Sequence, residues 1–236
     1  MELFKHTFFI NLEQRKDRLD NVLSEFNKMG INGERINAVK SKIGGIGCTL
    51  SHIRCLEEAK KRGYEHVFIC EDDIKFTNPE LFKQQLQKFS DNKEIQWDVL
   101  LIGANVVPPY QRVGDYCARV FSAQTTTGFV VKKEMYDVLL ENFKESCNLQ
   151  MKNPGSPGVS NPYALDIWWK RLQPQYFWWI ITPLTVTQYE NFSEIENRTT
   201  NYDHLMLDMD KTWYKPVKQG SGPVMKMGGL MSHNVT

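Results

Sequence analysis

Residues 66–73, HVFICEDD, constrain the fold more than any other stretch of the chain. HVFIC is continuously apolar rather than alternating. Runs of that kind form strands covered on both faces, so helices must lie above and below the sheet. The run then stops on three consecutive carboxylates, Glu71, Asp72 and Asp73.

The rest of the chain supplies matching elements. HTFFINL (6–12) reads as a first strand. Leu19, Val22, Leu23, Phe26 and Met29 then form one apolar stripe at helical spacing, and Gly30 suits the helix stop. ERINAV (34–39) is a second strand. GGIGCTLSHIRCLEEAKKRG (44–63) reads as a glycine-rich turn feeding a helix near Thr49 and Ser51, closed by Lys60, Lys61, Arg62 and Gly63. Asn78–Pro79 is an N-cap followed by proline at the first helical position, with Phe82, Leu86 and Phe89 inward. WDVLLIG (97–103) is a further buried strand, and 117–132 holds two more. A helix starts near Met135. Residues 151–162 form a loop rich in Pro, Gly, Ser and Asn, long enough for a lid. A helix (163–172) and β-like pieces (176–181, 184–188) follow, and periodicity fades after about residue 190. Strands alternating with helices predict an α/β domain around a mixed, mainly parallel sheet. We place that domain at 1–195, with 196–236 as an extension packed on it or partly disordered.

Composition excludes several classes. At 236 residues, 41% hydrophobic and 24% charged, the chain is long and apolar enough for a sizeable core. A formal net charge of +1 gives no electrostatic case for nucleic acid. The five cysteines show no zinc-type spacing, so reduced thiols in a cytoplasmic compartment are expected. No signal peptide is expected, since the first strand begins about five residues in, and no apolar run reaches membrane-spanning length, so we expect a soluble protein, at most peripheral to a membrane. Sequons begin at Asn191, Asn197 and Asn234 and would matter only in a secretory lumen.

Ligands of open α/β sheets bind outside the carboxyl ends of the strands, where Glu71–Asp73 lie. If the strand continues through Asp73, Glu71 and Asp73 share a face and Asp72 points away; an earlier strand end would turn Asp72 into the pocket. Convergent carboxylates beside a diphosphate call for a divalent cation. The alternative is a polar strand end that meets water. Gly44, Gly45 and Gly47 precede a helix start and could let backbone approach an anion, or form a plain turn. Ser51 and His52 follow, His52 as a donor to a phosphate or sugar oxygen or as a packing residue. Asn11 and Leu12 could meet a nucleobase and Arg15 or Arg18 the nucleotide, unless these cations are a solvated helix face. Asp166, among the apolar residues of YALDIWW, could have a pKa raised into general-base range, or could simply sit at a helix N-terminus. Trp168, Trp169, Trp178 and Trp179 offer sugar-stacking surfaces or core.

In order, FFINLEQRKDRL, GGIGCTLSH, VFICEDDIKF, TTTGFVVKKEMYDVLL, PYALDIWW, ITPLTVTQ and FSEI resemble glycosyltransferase family 25 over about residues 5–195. That family includes bacterial lipopolysaccharide galactosyltransferases and procollagen galactosyltransferases. The resemblance implies a GT-A type (Rossmann-like) fold, a UDP-sugar donor, Mn²⁺ or Mg²⁺ as cofactor, and inversion at the anomeric carbon. It implies metal ligation by Glu71 and Asp73, and donor binding by Asn11, Leu12, Arg15, Arg18, Gly47, Ser51, His52 and Asp72. Asp166 matches a family aspartate and is the candidate base. The expected reaction transfers a hexose, galactose or glucose, to a hydroxyl of a glycan or hydroxylated protein. His204 or His233 could complete a metal shell. Gly128 and Phe129 depart from the family's aromatic-plus-small pattern, which leaves one pocket wall undefined. A non-catalytic nucleotide-sugar or glycan binder is the main alternative. A metal-dependent phosphoryl or nucleotidyl transferase is a third, without a phosphate-cradling loop of known spacing.

Overall fold

The computed structural model describes residues 1–155, 161–193 and 198–213. The chain opens with β1 (Thr7–Asn11), buried along its length. α1 (Lys16–Met29) ends at Gly30, whose φ of 68° is the left-handed conformation that glycine adopts without a Cβ clash. Val22, Phe26 and Met29 form its buried row. Leu23 lies at the edge of that row and is 46% exposed, so the stripe is narrower than expected.

β2 (Glu34–Asn37) is followed by α2 (Gly44–Lys61). The glycines expected to form a turn before α2 instead form its first turn. β3 (His66–Glu71) and the short β4 (Ile74–Phe76) come next. α3 (Pro79–Asp91) starts as expected: Asn78 accepts a hydrogen bond from the Leu81 amide at 3.1 Å, and Phe82, Leu86 and Phe89 are buried. β5 (Val99–Val106) runs past its expected end at residue 103 and is buried throughout. β6 (Tyr110–Val113), β7 (Cys117–Val120) and β8 (Ala123–Lys132) precede α4 (Tyr136–Lys152). α5 (Leu165–Trp168) continues as a tighter 3-10 turn, Trp169–Leu172. β9 (Trp178–Ile181), β10 (Val186–Gln188), β11 (Asn191–Ser193), β12 (Arg198–Thr200) and α6 (Asp203–Met206) complete the described elements.

The main sheet has the order β2-β1-β3-β8-β5-β9-β7-β6. Its pairings leave only β7 and β8 running against the other strands, so the sheet is mixed and mainly parallel in direction. β7 and β8 do not pair with each other. β8 is inserted antiparallel between β3 and β5, which brings its first residues to the same edge as the carboxyl ends of β1, β3 and β5. β4 and β10 form a separate two-stranded ribbon, as do β11 and β12.

Two apolar layers cover the sheet. On one side Phe8, Ile69 and Phe129 meet Leu56 of α2, Phe143 of α4, and the Trp169–Trp178 pair, whose rings lie 5.0 Å apart. On the other, Phe9, Phe68 and Leu100 meet Phe26 of α1 and Phe82 and Phe89 of α3. Alternate residues of β1 and β3 thus feed opposite layers, as the continuous apolar run demands. Trp169, Trp178 and Trp179 are core, and Trp168 is half-buried beneath the Arg171 guanidinium. Beyond residue 195, Met206 is fully buried against Thr127 and Thr187, and Lys211 donates from Nζ to the Val106 carbonyl at 2.5 Å. All five cysteines are free. Among the described residues no helix is long and apolar enough to cross a membrane. His233 and the sequons at Asn197 and Asn234 lie outside the described residues, as does part (156–160) of the expected lid loop.

Candidate active site

The three carboxylates after β3 divide between two clusters. β3 ends at Glu71, and Asp72 and Asp73 form a turn into β4. The expected alternation through Asp73 therefore does not occur, and Asp72 is not turned away. Asp72 and Asp73 instead meet one cation. Arg18, one turn into α1, places Nη1 3.0 Å from Asp72 Oδ1, and its Nη2 pairs with Asp73. Asn11 at the end of β1 donates from Nδ2 to Asp72 Oδ2 at 2.6 Å and to the Arg15 carbonyl at 3.1 Å. β1 and β3 are adjacent and parallel, which sets Asn11 beside the turn.

Burial pushes the Asp72 carboxyl up to about 6 despite the opposing Arg18 charge, and the same balance moves Asp73 to about 6. Two hard oxygens in this cluster are buried without a hydrogen-bond partner: Asp73 Oδ1 and Asn11 Oδ1. Leu12 is half-buried just beyond β1, and the Arg15 guanidinium pairs with Asp17 at 2.8 Å. Arg15 meets the cluster through its carbonyl, and its charge also acts on Asp72.

Glu71 faces the other way. Its Oε1 accepts from the Thr126 hydroxyl at 2.6 Å and lies 3.6 Å from Cys48 Sγ and 3.9 Å from His52 Nε2. Burial raises its carboxyl, with the Thr126 hydroxyl opposing. Asp166, at the start of α5, belongs to this second cluster: its charge acts on Glu71, His52 and Cys48. Its Oδ2 accepts from the Thr125 amide at 3.0 Å. Thr125 has φ 71°, a strained conformation for a β-branched residue, next to irregular β5–β8 register. Burial raises the Asp166 carboxyl and lowers the ammonium of its neighbour Lys170, which donates to Gln124 Oε1.

Gly47 and Ser51 act inside the fold. A Cβ at Gly47 would sit 2.4 Å from the Val39 carbonyl oxygen, so its close approach is to backbone, not to a ligand. Ser51 Oγ donates to the Gly47 carbonyl at 2.7 Å and accepts from the Val39 amide at 2.8 Å. Together they lock α2 to the segment after β2. Gly47→Ala is expected to cost about 1–3 kcal/mol, read as a lower Tm by calorimetry. His52 is fully buried and stacks on Phe129 at 6.0 Å. Gly128 packs on Phe68 and Ile74, so the undefined pocket wall is core. His204 lies 6.0 Å from Trp213, in none of the contacts of either cluster. Residue reading missed Thr125, Thr126, Cys48 and Lys170. Cys48 alone carried a signal, standing four residues before His52 on one helical face.

Residues 43–151 match the model of glycosyltransferase family 25 (LPS biosynthesis protein). Over that segment the chain is similar to glycosyltransferase family 25. Human procollagen galactosyltransferase 2 is 29% identical over 131 residues, 42% of this chain and 21% of that protein. A bovine protein named probable inactive glycosyltransferase 25 family member 3 is 27% identical over 137 residues, 45% of this chain and 23% of its own length. The chain thus spans under a quarter of the length of these relatives. A glycosyltransferase involved in glycosylation of the major capsid of PBCV-1 superposes with a TM-score of 0.47 at 12% identity, covering 76% of this chain and 82% of that one. The GT-A type architecture implied by family 25 is the form of the mixed, helix-covered sheet described above. The family 25 segment runs from α2 into α4, so it contains Glu71–Asp73, Cys48, His52 and Thr126. Asn11, Arg18 and Asp166 are brought to it from outside that segment by the fold.

Proposed function

We propose that the chain transfers a hexose from a UDP-sugar to a hydroxyl of a glycan or hydroxylated protein, with inversion and with a divalent cation. The observation that carries this reading is the pair Asp72–Asp73 at the carboxyl edge of the sheet, buried, held by Arg18, with Asp73 Oδ1 left unpartnered. Buried oxygens without donors are costly unless a cation or water meets them. The residues present fit Mn²⁺ or Mg²⁺: Asp72 and Asp73 would hold it, with Asn11 Oδ1 as a further hard oxygen. Such a cation, when bound, supplies neutralisation of charge on the diphosphate. Because Glu71 turns toward Thr126, Asp72 takes the place given to Glu71 in the family-based expectation.

The chain's own residues divide the remaining work. Arg18 offers a fixed positive charge next to the diphosphate, where preorganised charge favours a departing anion. Asn11 orients Asp72. Asp166 accepts the proton of the acceptor hydroxyl at a carboxylate oxygen. Its raised proton affinity, caused by burial, suits that task. The Thr125 amide holds it in place, and the Lys170 charge acts on it through space.

The test is incubation with Mn²⁺ and a panel of UDP- and GDP-sugars, UDP-galactose and UDP-glucose first, measuring nucleotide diphosphate release with and without acceptor. Release dependent on Mn²⁺ and on a UDP-sugar is expected. Activity should fall as pH drops through about 6, because protons then compete for Asp72 and Asp73. A second reading, a non-catalytic nucleotide-sugar binder, has one observation in its favour: Arg18 already neutralises part of the acidic pair. Metal-dependent binding without release from any sugar nucleotide would select it.

A further inference from the structure

The second cluster contains a conflict that the transfer reaction does not explain. His52 is fully buried. Its Nδ1 lies 3.0 Å from the Cys48 carbonyl, which can only accept, so the network assigns the proton to Nδ1 and leaves a lone pair on Nε2. Nε2 has no hydrogen-bond partner. It faces Glu71 Oε1 at 3.9 Å, one acceptor against another. Cys48 Sγ lies 3.6 Å from the same oxygen. The Thr126 backbone and the Asp166 charge both act on the ring in the sense that favours positive charge.

We propose that Cys48, His52 and Glu71 form a binding site for Zn²⁺ or a similar thiophilic divalent cation, distinct from the Asp72–Asp73 cluster. A thiolate, an imidazole and a carboxylate are the ligand types that zinc takes, and three protein ligands leave a fourth position open. Bonds of about 2.0–2.3 Å in tetrahedral array put ligand atoms about 3.5 Å apart. One ligand atom from each residue lies within 4.8 Å of those of the other two; Glu71 Oε1 is 3.6 Å from Cys48 Sγ and 3.9 Å from His52 Nε2, and the sulfur is 3.7 Å from Nδ1 of the same ring. Cys48 and His52 are one helical turn apart on α2, and Glu71 ends β3, so the ion would clamp α2 to the strand end. The Nδ1 contact to the Cys48 carbonyl and the Thr126 contact to Glu71 orient the ligands as outer contacts commonly do.

A proton on His52 or on Glu71 is the competing way to relieve the conflict. On His52 it would place a charge on a fully buried ring, which burial disfavours. Coordination has its own proton balance. The Cys48 thiol loses its proton to solvent as the sulfur–metal bond forms, so affinity rises with pH.

The experiment uses the full chain without a histidine tag. The expected results are one Zn²⁺ per chain by mass spectrometry of the metal after dialysis, and a thiolate-to-cobalt charge-transfer band when Co²⁺ is bound instead. Cys48→Ser should remove that band and weaken Zn²⁺ binding by at least about tenfold. His52→Gln should weaken Zn²⁺ binding likewise, while Asp73→Asn keeps the zinc. Excess Mn²⁺ should not displace it. Two results with the unmodified protein would overturn the proposal without recourse to variants that might misfold: no retained zinc, or bound cobalt without a thiolate band. Zinc retained equally by folded Cys48→Ser and His52→Gln variants would also overturn it. Neither readout involves sugar transfer, so failure here leaves the transferase reading standing and the reverse also holds.

Discussion

Asp166→Asn is expected to lower kcat by about 10²–10⁴-fold while the KM for the sugar nucleotide stays within about threefold. The structure makes this substitution unusually clean. Asp166 Oδ2 accepts from the Thr125 amide, and an asparagine carbonyl oxygen can accept the same bond. The strained Thr125 backbone therefore keeps its partner, while the carboxylate's charge and proton affinity are removed. Asp166→Ala removes both. It leaves a strained amide without its acceptor, at a cost of about 1–3 kcal/mol, so its Tm should fall where that of the asparagine variant does not. If Asp166→Asn turns over near the parent rate with donor binding intact, Asp166 is a structural brace for Thr125 and the base lies elsewhere. Steady-state kinetics and melting curves on the two variants separate these outcomes.

The two functional clusters differ in how far the sequence reveals them, and the difference is physical. HVFIC announces a doubly covered strand because both of its faces are apolar, and the layers on either side of β3 bear that out. Asn78–Pro79 announces a helix start because capping is local chemistry. The division of Glu71 from Asp72 and Asp73 is not local. It depends on where β3 stops, and that depends on the turn into β4 and on Arg18 arriving from α1, dozens of residues earlier. A one-residue change in the end of a strand reverses which face a side chain meets, so side-chain alternation could be stated only conditionally. Thr126 was invisible for a related reason. Its contact with Glu71 exists because β8 enters antiparallel beside β3, a pairing with no signature in either strand. The glycines of GGIG misled in a different way. They permit close approach, and Gly47 makes one, but to the Val39 carbonyl.

Asp73→Asn is expected to act in opposite directions on activity and stability. Turnover of a UDP-sugar with Mn²⁺ should fall by at least about 10²-fold, since a metal's charge stabilisation is worth several kcal/mol and each 1.36 kcal/mol is about tenfold. The metal-free protein should become more stable at about pH 7.5. Burial holds the Asp73 carboxyl at about 6, above the ordinary aspartate value of 3.8, with Arg18 only partly compensating. A carboxyl raised in the folded state contributes stability that is complete below its unfolded value and lost as pH rises through the folded one. The metal-free parent should therefore lose stability between about pH 4 and 6 and then level off, and the asparagine variant should lose less. Arg18 keeps its Asp72 contact at 3.0 Å in the variant, and the asparagine carbonyl can still accept from Nη2, so no buried cation is stranded. Added Mn²⁺ should raise the Tm of the parent and leave that of the variant unchanged. A variant less stable than the parent without metal would mean that the Arg18 pair, not a cation, is the state for which Asp73 is buried. A Mn²⁺ shift that survives in the variant would move the cation away from Asp73.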